Sequence, residues 1–515
     1  MRPKTPIERR TLMHLLVPLL TRALPVALLL VLLLAPAAEA QRAGKYLSPE
    51  QGGYSVKPLL SVGDRVPLTG DSSKRYQMVG IPDGLGVYAT SDDKRALYMN
   101  HEFEFDVASE PVVGGALNRG AFVSRFVLDD DGHVLSGARA YDSVYKENAL
   151  VGPAAQTNND TPAFGRFCSS YLALPSRTGF DRPIYLTNEE ADGPETFDPK
   201  GGQSVAIFDG EAHTLPKLGF FPKENTVVMP GTGAKTVIIS LEDGPTTTDS
   251  QLYMYVGTKD SSAGASVLAR NGLDNGKLYV FAGSDPDAAD ETTFLEGSTK
   301  GTWVEIPDAS KLDDVELEVA ADEAGAFGFV RIEDGAFSRS DPNRFFFVTT
   351  GGAPDYENVL GRLYSLKLNS SNPTGEAALH VAYNADQVVL AGGDTAISPD
   401  NIDVSGRHLM IQEDATDTGK LVMAALERDA SIWRFKLGGG GSGVKAGSAL
   451  RIAEVNSPGR DGIAVPTGSW ESSGITYSGS LFGGQAWLGD VQAHSPTTAP
   501  KPNTVEDGQL FLLHR

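Results

Sequence analysis

Arg331, Glu333 and Asp334 stand together at the end of an apolar run, Phe327-Gly328-Phe329-Val330-Arg331-Ile332-Glu333-Asp334-Gly335. On an extended strand Arg331 and Glu333, two apart, point the same way, with Asp334 opposite. A guanidinium fork beside a hard-oxygen ligand suits an anion such as phosphate held over a metal. The pattern recurs. Ala96–Glu102 ends in Asn100-His101-Glu102, Ile184–Glu190 in Glu189-Glu190, Val237–Asp243 in Glu242-Asp243, and His408–Asp414 in Glu413-Asp414. A weaker sixth member is Ala486–His494, which holds Asp490, Gln492 and His494. Any one of these endings reads as an ordinary acidic surface turn. Five in the same local context read as equivalent strand ends.

The elements around them must be β-strands. Short runs rich in aromatic and β-branched residues, such as Leu252–Val256, Lys277–Phe281 and Arg344–Val348, alternate with Gly, Pro, Asp and Asn clusters. Asp129-Asp130-Asp131-Gly132 predicts a hairpin turn. Pro307–Glu323 predicts a solvated helix or insertion, and Gly438–Gly443 a flexible loop between strands. Repeated strand groups with converging tips predict an all-β fold of the β-propeller type, five or six tips meeting at a central channel. That much negative charge in one place is costly without cations, so a central metal site is expected.

The 515 residues carry a formal net charge of -22 and a pI near 4.8, which argues against nucleic acid as a partner. The single cysteine, Cys168, excludes an intramolecular disulfide. Its bland reading is a buried packing thiol; the alternative is that it reaches the carboxylates from a neighbouring strand. Arg9-Arg10, an apolar stretch from Ala23 to Pro36, and Ala38-Glu39-Ala40 predict a cleaved export signal over 1–40. The arginine pair points to the twin-arginine route, ordinary secretion being the alternative. An N-terminal segment over 41–75 and a propeller domain over 76–515 would follow. The mature protein is expected to be soluble, periplasmic or extracellular, with no stable membrane span, and to act as a monomer.

In order and spacing, Asn100-His101-Glu102, Glu189-Glu190, Arg331-x-Glu333-Asp334, Pro399-Asp400-Asn401-Ile402 before Gln412-Glu413-Asp414, and Ser473-Gly474-Ile475 resemble the PhoX-type secreted phosphatases. The resemblance runs from about Asn100 to His494. It implies a six-bladed propeller that hydrolyses small phosphate esters at a calcium and iron cluster. By motif match Glu189, Glu242 and Glu333 fall at metal-ligand positions. Glu102, Glu190, Asp243, Asp334, Glu413 and Asp414 are further metal ligands or their supports. Arg331 falls at the phosphate-binding position and, with Glu333, forms the catalytic pair. The chain departs from the family at Asn188, which stands where the family has a cysteine ligand. Asparagine cannot replace a thiolate on iron, so the resemblance implies calcium and leaves iron in question.

His101 is either a ligand or a structural hydrogen bonder. His213 reads as a surface residue, and His494 as a donor to the phosphate or to a ligand carboxylate. Lys223-Glu224-Asn225 reads as a loop over the channel or an exposed charged turn. A Gly-x-Ser-x-Gly elbow, a His-Glu-x-x-His motif and a P-loop are all missing. Two alternatives to a phosphatase stay open: a calcium-only lactonase or phosphotriesterase-like hydrolase, and a non-catalytic calcium-binding propeller.

Overall fold

The computed structural model describes residues 44–153, 163–245, 247–352, 357–414, 416–438, 440–456, 465–494 and 504–515. The expected export signal lies outside them. The described residues belong to one compact unit, Gly44–Arg515. Strands dominate, in six sheets of two to nine strands. The runs singled out by composition are all strands: Leu252–Thr258, Lys277–Gly283 and Arg344–Thr349. Asp129–Gly132 turns the chain between Phe122–Leu128 and Val134–Arg139, which pair antiparallel.

Twelve strands position the site. They are β1 (Pro82–Ala89), β2 (Arg95–His101), β3 (Phe167–Ala173), β4 (Ile184–Glu189), β5 (Lys223–Val228) and β6 (Lys235–Glu242), followed by β7 (Ile332–Phe337), β8 (Arg344–Thr349), β9 (Pro399–Val404), β10 (His408–Glu413), β11 (Glu471–Tyr477) and β12 (Trp487–Ala493). Each odd-numbered strand pairs antiparallel with the even-numbered strand after it. The odd strands are also neighbours of one another in a closed cycle, β1 to β3, β5, β7, β9, β11 and back to β1. A cavity of about 180 Å³ is lined by residues of all six, among them Val87, Leu172, Asn225, Phe337, Asp403 and Tyr477. The cycle is propeller-like: six inner strands around one axis, their partners outside.

Composition explains which strands lie inside. The outer strands are near-continuous apolar runs, such as Phe345-Phe346-Phe347-Val348, buried between sheets. The inner strands carry polar residues near their starts, as in Lys223-Glu224-Asn225-Thr226, and are more apolar toward their far ends. The chain from 44 to 75 is built into the sheets. Ser55–Ser61 pairs with the C-terminal Asp507–His514, and Leu47–Pro49 with Leu450–Val455. The Pro307–Glu323 stretch contains a short 3-10 turn, Ala309–Lys311, and one α-helix, α1 (Asp314–Glu323), begun by a capping box between Asp313 and Glu316.

Candidate metal centre and active site

The second residue of the first five inner strands is Asp83, Cys168, Glu224, Glu333 or Asp400, and in the sixth it is Ser472. One irregularity sets them apart from their strands. In every inner–outer pair the ladder register shifts just beyond this position: between Asp83 and Leu85, Phe167 and Ser170, Lys223 and Thr226, Ile332 and Gly335, Pro399 and Ile402, and Ser473 and Ile475. A bulge re-aims a side chain and is characteristic of strand ends beside active sites. Four inner strands are also preceded by a non-glycine residue at positive φ: Ile81, Arg166, Arg331 and Ser398. Such conformations cost about 1–3 kcal/mol each and persist only where the surroundings impose them.

The potential ligand atoms form overlapping groups, each within 4.8 Å: Asp83, Glu102 and Cys168; Cys168, Glu190 and Glu224; Glu224, Glu333 and Asp400. Six carboxylates and one thiol thus run in a continuous chain. Neither oxygen of Glu224 has a hydrogen-bond partner among the described residues, and neither has either oxygen of the adjoining Asp490. Burial pushes the Glu190, Glu224, Glu333, Asp400 and Asp490 carboxyls well above the usual carboxylate range, and neighbouring carboxylates add to the rise. Asp83 is pushed up to about 7, first by burial and then by Glu102. Burial also raises the Cys168 thiol, which donates to Asp83 Oδ2 at 3.2 Å. Buried carboxylates without cations are unfavourable. The donor set fits metal: hard oxygens for calcium, a thiolate for a softer ion.

The third residues of the inner strands brace this ring from below. Asn225 Nδ2 donates to Asp334 Oδ1, Asp334 Oδ2 accepts from the Ile402 amide at 3.0 Å, and Ser473 Oγ donates to Asn401 Oδ1 at 3.0 Å. Asn401 also donates to Ser169 Oγ. Several inner strands are therefore tied to one another through buried polar groups.

Two arginines meet the ring. Arg331 donates from Nε and Nη2 to Asp243 at 2.9 and 2.8 Å, and its Nη2 lies 3.2 Å from Glu333. Arg166 donates to Glu102 at 2.8 Å and to Glu190 at 3.0 Å. Arg166 stands two residues before Cys168, as Arg331 stands two before Glu333, so the arginine position is not unique to one strand. A cleft of about 920 Å³ opens beside them, lined by Arg166, Glu190, Glu242, Asp243, Asp249 and Glu318 among others.

The sequence-predicted ligands divide by strand alternation. Glu102, Glu190 and Glu333 fall in the ring groups. Asp243 holds Arg331, and the charge of Asp414 acts on Arg331 and Glu471. The other members of the acidic pairs point into the scaffold. Glu189 Oε1 accepts from the Gly165 and Phe197 amides at 3.1 and 2.8 Å. Glu242 Oε2 accepts from the Gln251 amide at 2.8 Å. Asp334 belongs to the brace. Glu413 accepts from Arg428 at 2.7 and 2.9 Å and from the Ile397 amide at 2.7 Å. Four expected metal ligands thus contact backbone, an amide or an arginine, since neighbours on a strand face opposite ways, while the second oxygen of Glu189, Oε2, is buried with no partner among the described residues.

Other expectations change as well. His101 is a structural hydrogen bonder, its ring between the Gly80 carbonyl and Ser124 Oγ and stacked on Phe122. His213 is largely buried rather than a surface residue, stacked between Tyr145 and Phe208. His494 has both ring nitrogens engaged, by Glu506 and by Glu471 at 3.5 Å, so it supports a carboxylate and offers no free donor. Against its burial, those two carboxylates hold the ring well above the usual histidine range. Lys223-Glu224-Asn225 is neither a loop nor an exposed turn; it is the buried start of β5. Cys168 falls within two of the ring groups. Asn188 itself is buried on β4 with both amide atoms unpartnered among the described residues. Sequence reasoning missed Asp83 and Arg166, and it gave no ligand role to Glu224, Asp400 or Asp490, although each lies in a stretch that it singled out.

The fold and site thus define a propeller-like all-β protein with a buried, cation-demanding carboxylate and thiol cluster. The family model of alkaline phosphatase PhoX matches residues 208–451 of this chain. The structure of Pseudomonas fluorescens PhoX in complex with vanadate, a transition-state analogue, superposes with a TM-score of 0.64 at 16% identity, over 92% of this chain and 97% of that one. A luciferin-regenerating enzyme matches at 9% identity over 85% of this chain and 93% of its own, with a TM-score of 0.34. The periplasmic gluconolactonase PpgL of Pseudomonas aeruginosa matches at 12% identity over 74% and 91%, with a TM-score of 0.31. No curated protein matches the chain in sequence. The family match supports a phosphoric ester hydrolase, and the PhoX superposition shows the fold. No helix among the described residues is long and apolar enough to cross a membrane.

Proposed function

We propose that this protein is an exported, metal-dependent phosphatase acting on small phosphate esters. The single observation that carries the reading is the unbroken chain of ligand groups from Asp83 to Asp400, with Arg166 and Arg331 beside it. The closed cycle of inner strands supports six blades around a central site. Asp83, Glu102, Cys168, Glu190, Glu224, Glu333 and Asp400 would hold the metal; calcium fits the oxygens, and iron fits the position of Cys168. When bound, such ions polarise phosphoryl oxygens and offset the charge that develops during hydrolysis.

The protein's own groups perform the rest. Arg331, its Nε and Nη2 held by Asp243, would offer Nη1 to the phosphate and orient it. Glu333 holds the same Nη2 from 3.2 Å. Arg166 neutralises Glu102 and Glu190 at the mouth. His494 positions Glu471. The leader over 1–40 would deliver a soluble, monomeric body to the periplasm or the exterior, with 41–75 closing the sheets ahead of the 76–515 domain. Protein exported by its native route should hydrolyse a generic phosphomonoester, lose that activity on chelation, and contain bound calcium or iron by elemental analysis. Arg331→Ala should lower kcat/KM at least about a hundredfold, as expected for losing a charge-assisted phosphate contact and its electrostatic preorganisation. Metal-free protein that still turns over the ester would refute the reading.

A further inference from the structure

Arg331 is held in an uncommon backbone state. Its φ is +55°, in the left-handed region that a residue other than glycine keeps only where its surroundings impose it. The run that leads into it, Phe327–Val330, lies outside the named strands and is met by isolated bridges, Ser250 with Phe329 and Asp290 with Gly328.

Two fully buried side chains complete the hold. Ser250 Oγ accepts from the Arg331 amide at 3.1 Å and, with its second lone pair, from the Gly244 amide, also at 3.1 Å. Gly244 follows Asp243, the residue that grips the Arg331 guanidinium. One hydroxyl therefore ties the backbone of the arginine to the backbone beside its carboxylate partner. Glu291 fixes the residue before. Its Oε2 accepts from the Val330 amide at 2.8 Å, and its own amide donates to the Gly328 carbonyl at 3.0 Å. Asn358 Nδ2, Thr349 Oγ1 and the Tyr364 hydroxyl donate to the same carboxylate at 2.8, 2.9 and 2.6 Å. With its oxygens occupied by donors, Glu291 is a fixed post and not a metal ligand. Arg166 is built differently. It also has a positive φ, +37°, but its amide donates to a backbone carbonyl, that of Phe103, at 2.8 Å. Of the two arginines that meet the ring, Arg331 is the one whose amide is held by a side chain.

We propose that Ser250, together with Glu291, is a positioning residue for Arg331 and keeps its guanidinium aimed at the phosphate before the ester arrives. The inference rests on the phosphate-binding role given to Arg331 above. A preset guanidinium needs no reorganisation as charge develops on the phosphoryl group. Without the Ser250 oxygen, the Arg331 and Gly244 amides lose their shared acceptor, and the left-handed φ loses a contact that maintains it. A displacement of ~1 Å at such a contact costs up to about a hundredfold in rate.

Steady-state hydrolysis of a generic phosphomonoester by the exported, metal-loaded full chain tests this. Ser250→Ala should lower kcat/KM about ten- to a hundredfold. It should weaken competitive inhibition by inorganic phosphate by a similar factor and keep the wild-type metal content. The deciding measurement is a double variant. Added to Arg331→Ala, Ser250→Ala should change kcat/KM by less than about twofold, because the arginine it acts through is gone. A serine that only supports the fold would cost as much there as in wild type. Ser250→Cys, which keeps the volume and offers a poor acceptor, should show the same pattern and decides if Ser250→Ala does not fold. Wild-type kcat/KM in the serine variant, or an undiminished loss in the Arg331→Ala background, would overturn the inference and leave the phosphatase reading standing. Full activity in Arg331→Ala alone would instead refute the phosphate role of Arg331, and this inference with it.

Discussion

Glu224 and Glu413 are both fully buried carboxylates near strand ends, and the fold treats them in opposite ways. Glu413 sits against Arg428, which donates to both of its oxygens at 2.7 and 2.9 Å, with the Ile397 amide as a third donor. Glu224 has no partner among the described residues and is surrounded by Cys168, Glu190, Glu333 and Asp400. Burial raises both carboxyls, but Arg428 opposes the rise at Glu413, to about 7, while the charge of Asp83 adds to it at Glu224. The difference shows that burial alone does not mark a ligand. The partner does. A buried acid with its own arginine is scaffold, and one set only among other acids needs a cation from outside.

The comparison can be broken most easily at the scaffold residue. Glu413→Gln leaves Arg428, 1% exposed at its side chain, with only the partly exposed Asp394 as a charge partner among the described residues, at 3.1 Å. Removing one member of a buried pair costs up to about 3–5 kcal/mol, and less here, because burial outweighs the pull of Arg428 on Glu413 and Asp394 stays beside the guanidinium. Urea unfolding at pH 8 should show that loss, with metal content unchanged. A variant that loses metal and keeps its stability would move Glu413 into the ring.

Glu224→Gln should do the reverse. Bound metal should fall, and phosphomonoester hydrolysis should drop about 10²–10³-fold, the few kcal/mol that metal polarisation of a phosphoryl group supplies. Stability in chelator should hold or rise, because a buried charge with no counter-ion has been removed. Elemental analysis and chelator melting curves read the two effects separately. Full activity in this variant would place the chemistry elsewhere.

Much of the fold is legible in the chain itself, and the part that is not has a physical cause. Strand-rich composition and recurring acidic tips identify an all-β repeat, because apolar runs bounded by turn residues are visible in one dimension. Those tips are the ends of the outer strands β2, β4, β6 and β10. Glu102 and Glu190 of those tips reach the ring, but its other members lie one strand further in, on short starts such as Pro82-Asp83 and Lys223-Glu224, which look like loops because they lack apolar periodicity. Only a closed cycle buries them, and closure is a long-range property. The bulges that aim Asp83, Glu224 and Asp400 leave no local signature either. Arg331-Ile332-Glu333 stands out because its inner strand follows an apolar run, Phe327–Val330, that resembles an outer strand. An acid followed by an amide or hydroxyl and then an apolar residue, as in Asp400-Asn401-Ile402, is the subtler signal that leads to more of the ring.

The smallest effect concerns pH, and it tests the same contrast on one side chain. The Glu413 carboxyl sits at about 7, raised chiefly by burial, which outweighs the pull of Arg428. Its value in the unfolded chain is about 4.3. A group raised on folding favours the folded state fully below the unfolded value and loses that contribution as pH climbs through the folded one. Between pH 5 and 7, then, metal-loaded wild type should lose stability through Glu413, at most about 1.4 kcal/mol per pH unit for one proton. Glu413→Gln, less stable at pH 8, should have a flatter profile over that window, so that the gap between the two proteins narrows as pH rises from 5 to 7. Denaturant midpoints at half-unit intervals measure both slopes. Parallel profiles would mean that Glu413 is ionised throughout, that the Arg428 pair outweighs burial, and that the scaffold acid differs from the ring acids even more than its burial suggests.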